Sequence, residues 1–308
     1  MVIQIVQIKN NNKEEEQSDM DILEKVKKDG LILDGAMGSI LISKGITGKE
    51  APELWNLNHP DIIKDIHKSY YDAGSDVASA NTYGASAIKL KKMGVTQSVE
   101  NVNRAGVKIA RQVCGRGQYV AGELGSLGDM LSPMGTVSFD EAVDCFAQQA
   151  GFLEDEGVDV FLIETIFDIN IALAAIKAVR SVSEKPIFCS LTFKKMKKGF
   201  FTIFGSSPQD SMKLLENAGA SAVGANCTIG SSTMIDLACE IKKSTDLPVI
   251  IQPNAGLPTA AKDNTVCYPE DEIFFADSIK EIKRLGVEIV GGCCGTTPKY
   301  IKKIKETI

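Results

Sequence analysis

The sequence predicts an α/β protein, a closed (β/α)8 TIM barrel with a short N-terminal helical extension. Three observations carry that expectation. Eight short apolar, β-branched runs alternate with eight amphipathic stretches. The units recur without a long shift in composition. Several helix ends repeat one phrase, a glycine that stops the helix just before an apolar run: Ala73-Gly74-Ser75-Asp76, Glu156-Gly157-Val158-Asp159, Ala218-Gly219-Ala220 and Leu285-Gly286-Val287. An open doubly wound sheet shares this periodicity, and the count of eight favours closure.

In chain order, residues 1–30 are expected to precede the barrel, which fills 31–308. After a polar stretch at 10–17, Ser18 caps a helix that Gly30 ends, with Ile22, Leu23 and Val26 on one face. That helix reads as a plug. Strands are expected at 31–34, 76–82, 119–124, 158–165, 187–193, 222–227, 249–254 and 289–293. Helices are expected at 60–73, 98–113, 139–156, 169–182, 208–218, 231–243, 270–285 and 298–307.

Hydrophobic residues at 44% and charged residues at 24% supply a core and exclude wholesale disorder. The net charge of -6, from 34 basic and 40 acidic residues, gives no cationic face for a phosphate backbone, so no nucleic acid is expected as partner. No apolar run approaches the roughly 20 residues of a membrane span, and Met1 to Ile8 lack a basic start and a cleavage site. A cytoplasmic protein without a membrane partner is expected. Its eight cysteines are too few for a disulfide scaffold, and its two histidines, His59 and His67, argue against a histidine-rich metal site. His67 is expected on a helix surface.

Barrel chemistry sits where strands end, and these ends are polar and sulfur-rich. They read Asp34-Gly35, Asn81-Thr82, Glu123, Glu164-Thr165, Asn226-Cys227, Pro253-Asn254 and Cys293-Cys294. Three thiols therefore arrive at one rim, and three thiolates with an open fourth position describe a catalytic zinc site. No CxxC pair, Walker pattern or complete GxGxxG offers a competing motif. Gly291, Gly292 and Gly295 let backbone pack closely around the cysteine pair. Cys114, Cys145, Cys189, Cys239 and Cys267 occur singly and are expected to be buried and inert. Asn81, Thr82, Glu123 and Asn226 are expected to orient ligands or satisfy backbone rather than take part directly.

From about Leu31 to Ile304 the chain resembles the zinc-dependent homocysteine S-methyltransferase family. The most specific piece is Gly291-Gly292-Cys293-Cys294-Gly295-Thr296-Thr297-Pro298, joined to Asn226-Cys227. Leu33-Asp34-Gly35-Ala36-Met37-Gly38, Glu53-Leu54-Trp55-Asn56, Asn81-Thr82-Tyr83-Gly84-Ala85 and Pro253-Asn254-Ala255-Gly256 place it nearest the homocysteine-binding module of cobalamin-dependent methionine synthase. Gln252 and the run Phe200-Phe201-Thr202-Ile203-Phe204 depart from the family pattern at the barrel mouth.

The resemblance implies that Cys227, Cys293 and Cys294 bind Zn(2+), that Asp34, Gly35 and Glu164 hold the amino-acid end of homocysteine, and that Asn254 offers an amide oxygen to the metal when substrate is absent. It implies an S-methyltransferase that converts homocysteine to methionine. Because the chain stops after the last barrel helix, the donor is expected to come separately, as a methylated corrinoid on another protein or as a small methyl donor. Two alternatives stand beside it: methylation of another thiol, and a zinc-stabilised barrel acting as a non-catalytic subunit of a methyl-transfer complex.

Overall fold

The computed structural model describes residues 20–48, 50–260 and 266–308. Eight parallel strands, β1 (Leu31–Ile32), β2 (Val77–Ser79), β3 (Tyr119–Leu124), β4 (Val160–Ile166), β5 (Ile187–Leu191), β6 (Ala222–Gly230), β7 (Val249–Asn254) and β8 (Ile289–Val290), form one sheet. Their spatial order is β1-β8-β7-β6-β5-β4-β3-β2. A parallel bridge from Leu33 to Val77 closes the ring.

Around it run α1 (Ile22–Lys28), α2 (Met37–Ser43), α3 (Trp55–Asn58), α4 (Pro60–Asp72), α5 (Ala87–Lys92), α6 (Val99–Arg111), α7 (Phe139–Asp155), α8 (Ile169–Arg180), α9 (Pro208–Asn217), α10 (Ser231–Lys242), α11 (Glu272–Arg284) and α12 (Pro298–Thr307). Their starts carry recognisable chemistry: Ser138 and Glu141 make a reciprocal capping box on α7, and prolines open α4, α9 and α12. α2, α3, α5 and two small hairpins, Lys194–Met196 with Gly199–Phe201 and Thr259–Ala260 with Val266–Cys267, are additions made by the long loops at the mouth.

The repeated glycine phrase performs two tasks. Gly74, Gly157, Gly219 and Gly286 all take positive φ, between 75° and 103°, ending their helices in a conformation that costs glycine little. Two residues later a short polar side chain accepts a backbone N–H of the neighbouring strand. Asp76 takes that of Ile32, Asp159 that of Val120, Ser221 that of Ile187 and Glu288 that of Val249, at 2.7–3.2 Å. Each turn thus satisfies the N-terminal edge of a ladder that would otherwise leave a buried donor unpaired.

Two apolar layers result. One lies between strands and helices and includes Phe146, Leu153, Ile176, Met234 and Phe275. The other fills the barrel with inward residues such as Val77, Ala121, Leu162, Phe188, Ala222, Ile250 and Ile289, and Ile22 and Val26 of α1 pack into it. The plug helix is therefore present, but its N-cap is Asp21, whose carboxylate accepts from Leu23 and Glu24 N–H. Ser18 and the polar stretch lie outside the described residues.

Three other expectations need correction. β1, β2 and β8 are shorter than their apolar runs, because the polar and glycine residues at their ends leave the ladder to line the mouth. His67 is not on a helix surface. It is fully buried on the inward row Ile63, Ile66, His67, Tyr70 of α4, with neither ring nitrogen partnered, and burial lowers its pKa to about 4. Of the single cysteines, Cys145 and Cys189 are buried, Cys114 and Cys239 partly so, and Cys267 is exposed. No helix among the described residues is long and apolar enough to cross a membrane.

Candidate metal and substrate site

Along each strand the inward rows change character toward the C-terminal end. Val77 is followed two residues on by Ser79, Ala121 by Glu123, Leu162 by Glu164, Phe188 by Ser190, Ala222 and Gly224 by Asn226, and Ile250 by Gln252. Alternation in a strand keeps i and i+2 on one face, so the apolar filling gives way to a polar layer at the mouth. Above that layer opens a cavity of about 310 Å³ whose lining includes Asp34, Gly35, Glu53, Glu123, Glu164, Gln252 and all three rim cysteines.

The sulfurs of Cys227, Cys293 and Cys294 lie within 4.8 Å of one another, with Cys227 Sγ and Cys294 Sγ 3.8 Å apart. A tetrahedral zinc with Zn–S near 2.3 Å spaces its sulfurs at about 3.8 Å, so the donor set fits the ion with little rearrangement. Hydrogen bonds from Cys227 and then Cys293 hold Cys294 down to about 3, while the thiol of Cys293, bonded to Cys227 and Cys294, is pushed well above its ordinary range. Asn254 is buried between residues whose backbones bond to the cysteine loop, Cys293 N–H to Pro253 C=O and Ala255 N–H to Cys294 C=O, and its Oδ1 has no partner among the described residues.

Local irregularity aims these groups. β6 slips against β7 between Asn226 and Gly230, and β4 slips against β5 between Ile163 and Ile166. In these bulges Thr165, Cys227 and Thr228 take φ of 57–61°, a left-handed conformation costing on the order of 1–3 kcal/mol each for such residues. Fully buried Asn226 ties the two bulges together. Its Oδ1 accepts Thr165 N–H at 2.8 Å and Ser190 Oγ–H at 3.0 Å, and its Nδ2 donates to Thr165 Oγ1 at 2.7 Å and to Cys293 Sγ at 3.8 Å. The expectation that Asn226 orients its neighbours fits this geometry.

At the other wall, Ser79 donates to both oxygens of Asp34, through N–H at 2.8 Å and Oγ at 3.0 Å. Burial nevertheless raises Asp34 to about 7, against those bonds. Burial also raises Glu164 to about 7, opposed by Glu123 and Gln252 beside it, and leaves its Oε2 unpartnered. Gly35 is required by crowding, since a Cβ there would sit 2.6 Å from Thr296 Oγ1 and 2.9 Å from the Tyr70 hydroxyl. Asn81 and Thr82 serve the scaffold: Asn81 Nδ2 donates to Pro52 C=O and to Asn56, while Thr82 Oγ1 donates to Glu123 C=O.

Asp34, Gly35, Glu164, Cys227, Cys293 and Cys294 all line the cavity, Asn254 is not among its lining residues, and Glu53, Ser79, Glu123 and Gln252 stand in the same wall. Counting by twos along β2, β3 and β7 from their interior apolar residues is the sequence signal that finds Ser79, Glu123 and Gln252. Glu53 has no such signal, since it lies in the short 3-10 turn Pro52–Leu54.

A closed parallel barrel with three clustered thiols beside carboxyl groups is an arrangement that could hold a metal ion at the mouth. The chain belongs to the homocysteine S-methyltransferase family, whose model matches residues 31–308. It is 28% identical to the methionine synthases of Mycobacterium leprae and Mycobacterium tuberculosis over 95% and 94% of its own length. It spans only 25% of theirs. Among solved structures it resembles the homocysteine methyltransferase of Escherichia coli in metallated form, with a TM-score of 0.76 at 21% identity over 92% of this chain and 98% of that one. The apo form of the same enzyme gives 0.70 at 22% identity over 94% and 98%. At those identities the likeness bears on fold.

Proposed function

We propose that this chain transfers a methyl group to the thiolate of homocysteine, giving methionine, with zinc held by Cys227, Cys293 and Cys294. The observation that carries the reading is the convergence of three sulfurs on a cavity otherwise walled by carboxyl groups. When bound, zinc supplies the charge that keeps the acceptor sulfur ionised near neutral pH, where a free thiol is only a few per cent thiolate. Asp34 and Glu164 receive the substrate ammonium, and backbone N–H groups at Gly35 meet its carboxylate, fixing where the sulfur lies. Asn254 offers its unpartnered amide oxygen to the metal in the absence of substrate.

In the transfer, a sulfur lone pair forms the new S–CH3 bond as the donor–CH3 bond breaks, and that electron pair leaves with the donor. The acceptor's thiol proton goes to solvent on binding. Among the described residues no lysine or arginine lines the cavity to compete for its carboxyl groups, which favours an amino-acid thiol over a simple one. The donor is a methylated corrinoid on another protein or protein segment, or a small methylated compound, approaching through the open mouth. Reduced sulfurs suit a cytoplasmic setting.

Zinc-loaded protein given homocysteine with a methylcorrinoid, S-methylmethionine or betaine is expected to form methionine from one of the three. Cys294→Ser is expected to lose zinc, measured per chain by elemental analysis, and more activity than the roughly 10–100-fold that outer partners of a metal site cost. Its melting temperature should stay within a few degrees of wild type. Collapse of the fold with the metal, and no methylation by the intact chain, would instead mark a zinc-stabilised subunit without chemistry of its own.

A further inference from the structure

The cavity holds more carboxyl groups than the reading above uses. Glu123 ends the inward row Tyr119, Ala121, Glu123 of β3, and Glu164 ends the inward row Val160, Leu162, Glu164 of the adjacent β4. The register pairs Glu123 with Leu162, so the two acids stand in neighbouring columns at the top of the barrel, and both line the cavity. Glu123 is only 8% exposed. Its backbone is held by Thr82, whose Oγ1 lies 3.2 Å from its N–H and 2.8 Å from its C=O, and Gln149 Nε2 approaches the same carbonyl at 3.5 Å. These bonds hold the backbone of the strand end, and the Glu123 side chain lines the cavity.

Two further buried side chains of this wall have unpartnered oxygens among the described residues. Glu53, 2% exposed, accepts Gly84 N–H on Oε1 at 2.6 Å and leaves Oε2 without a partner, and Gln252, 3% exposed, leaves Oε1 likewise. Both line the same cavity, so buried acceptors face it with nothing of the described protein to satisfy them. A group rich in N–H donors and positively charged is the complement.

We propose that Glu123 is a positioning residue for the acceptor's ammonium, its carboxyl turned to Glu164 and holding that side chain in place. The inference rests on the homocysteine reading and extends it to a residue on a third strand. Burial first, and then the neighbouring charges of Glu164 and Asp34, push Glu123 upward, which favours its protonated form, the form able to donate to Glu164. A glutamine amide makes the same donation; an alanine makes none.

The test measures binding of homocysteine and of 4-mercaptobutyrate, which lacks the amino group, to zinc-loaded protein by calorimetry, alongside KM and kcat. Glu123→Ala should weaken homocysteine about 10–100-fold, the scale of a hydrogen bond to a charged group, through KM rather than kcat. It should leave 4-mercaptobutyrate and zinc content unchanged, and Glu123→Gln should restore homocysteine binding to within a few-fold of wild type. Equal losses for both thiols, no loss, or no rescue by glutamine overturns the proposal. A wild-type chain that takes up neither thiol overturns the homocysteine reading, and this one with it.

Discussion

Both carboxylate oxygens of Asp34 accept from Ser79, yet burial still lifts the group to about 7, and Glu164 titrates in the same range. The sign of the pH effect follows. Folded pKa values above the unfolded ones mean that the protonated forms stabilise the substrate-free fold, fully below about pH 4, and that this contribution is lost as pH rises through about 7. The ionised forms are those that an ammonium group wants. The homocysteine KM, measured at constant zinc occupancy, is therefore expected to fall severalfold between about pH 6 and 8 while thermal stability of the substrate-free chain declines. Asp34→Asn should weaken binding and flatten both profiles. A pH-independent KM in the wild type would sink this account of the two acids.

The αβ turns govern how the elements meet. At Gly157, with φ 75°, an added Cβ meets nothing within 4 Å, so Gly157→Ala should cost only the left-handed penalty of about 1–2 kcal/mol in urea unfolding. Gly224, inside β6, differs: a Cβ there would fall 1.8 Å from the Ile250 carbonyl oxygen. Gly224→Ala must push β6 and β7 apart and is expected to lower stability well beyond the Gly157 change, disturbing Cys227 on the same strand. Asp159→Ala removes the acceptor of Val120 N–H and the partner of Arg111 at 2.9 Å, and should cost about 1–3 kcal/mol. Equal losses for both glycine variants would contradict this division between backbone conformation and packing.

For the molecule as a whole, the two ends of the barrel have separate tasks. α1 closes the N-terminal end with Ile22 and Val26, and the Tyr119 hydroxyl donates to Met20 C=O at 2.7 Å to hold the entering chain. The carboxyl-terminal end carries the cavity and the sulfurs. Ile22→Ala is expected to reduce unfolding free energy by about 2–5 kcal/mol, with homocysteine KM and zinc content unchanged. A change in KM at constant zinc would show that the plug and the mouth communicate, contrary to this separation.

The sequence by itself determined the barrel, because eight apolar runs and their glycine-ended helices are local patterns whose period and chirality leave few ways to bury them. It also determined the sulfur trio, since Asn226-Cys227 and Gly-Gly-Cys-Cys-Gly are dense in residues that strand ends seldom combine. Glu123 and Gln252 lie two residues beyond apolar residues of their strands, so alternation along the chain sets them on the inward face, and the closed barrel brings them to one cavity. His67 is polar enough for a helix surface, yet it shares the inward row of Ile63, Ile66 and Tyr70, and the packing of α4 against the barrel buries it. The paired bulges at Thr165 and Cys227, and the asparagine that joins them, were decided by tertiary structure alone. Their left-handed backbones are unfavourable locally and persist only where hydrogen bonds to residues 36 to 67 positions away along the chain, Thr165, Ser190 and Cys293, hold Asn226 in place.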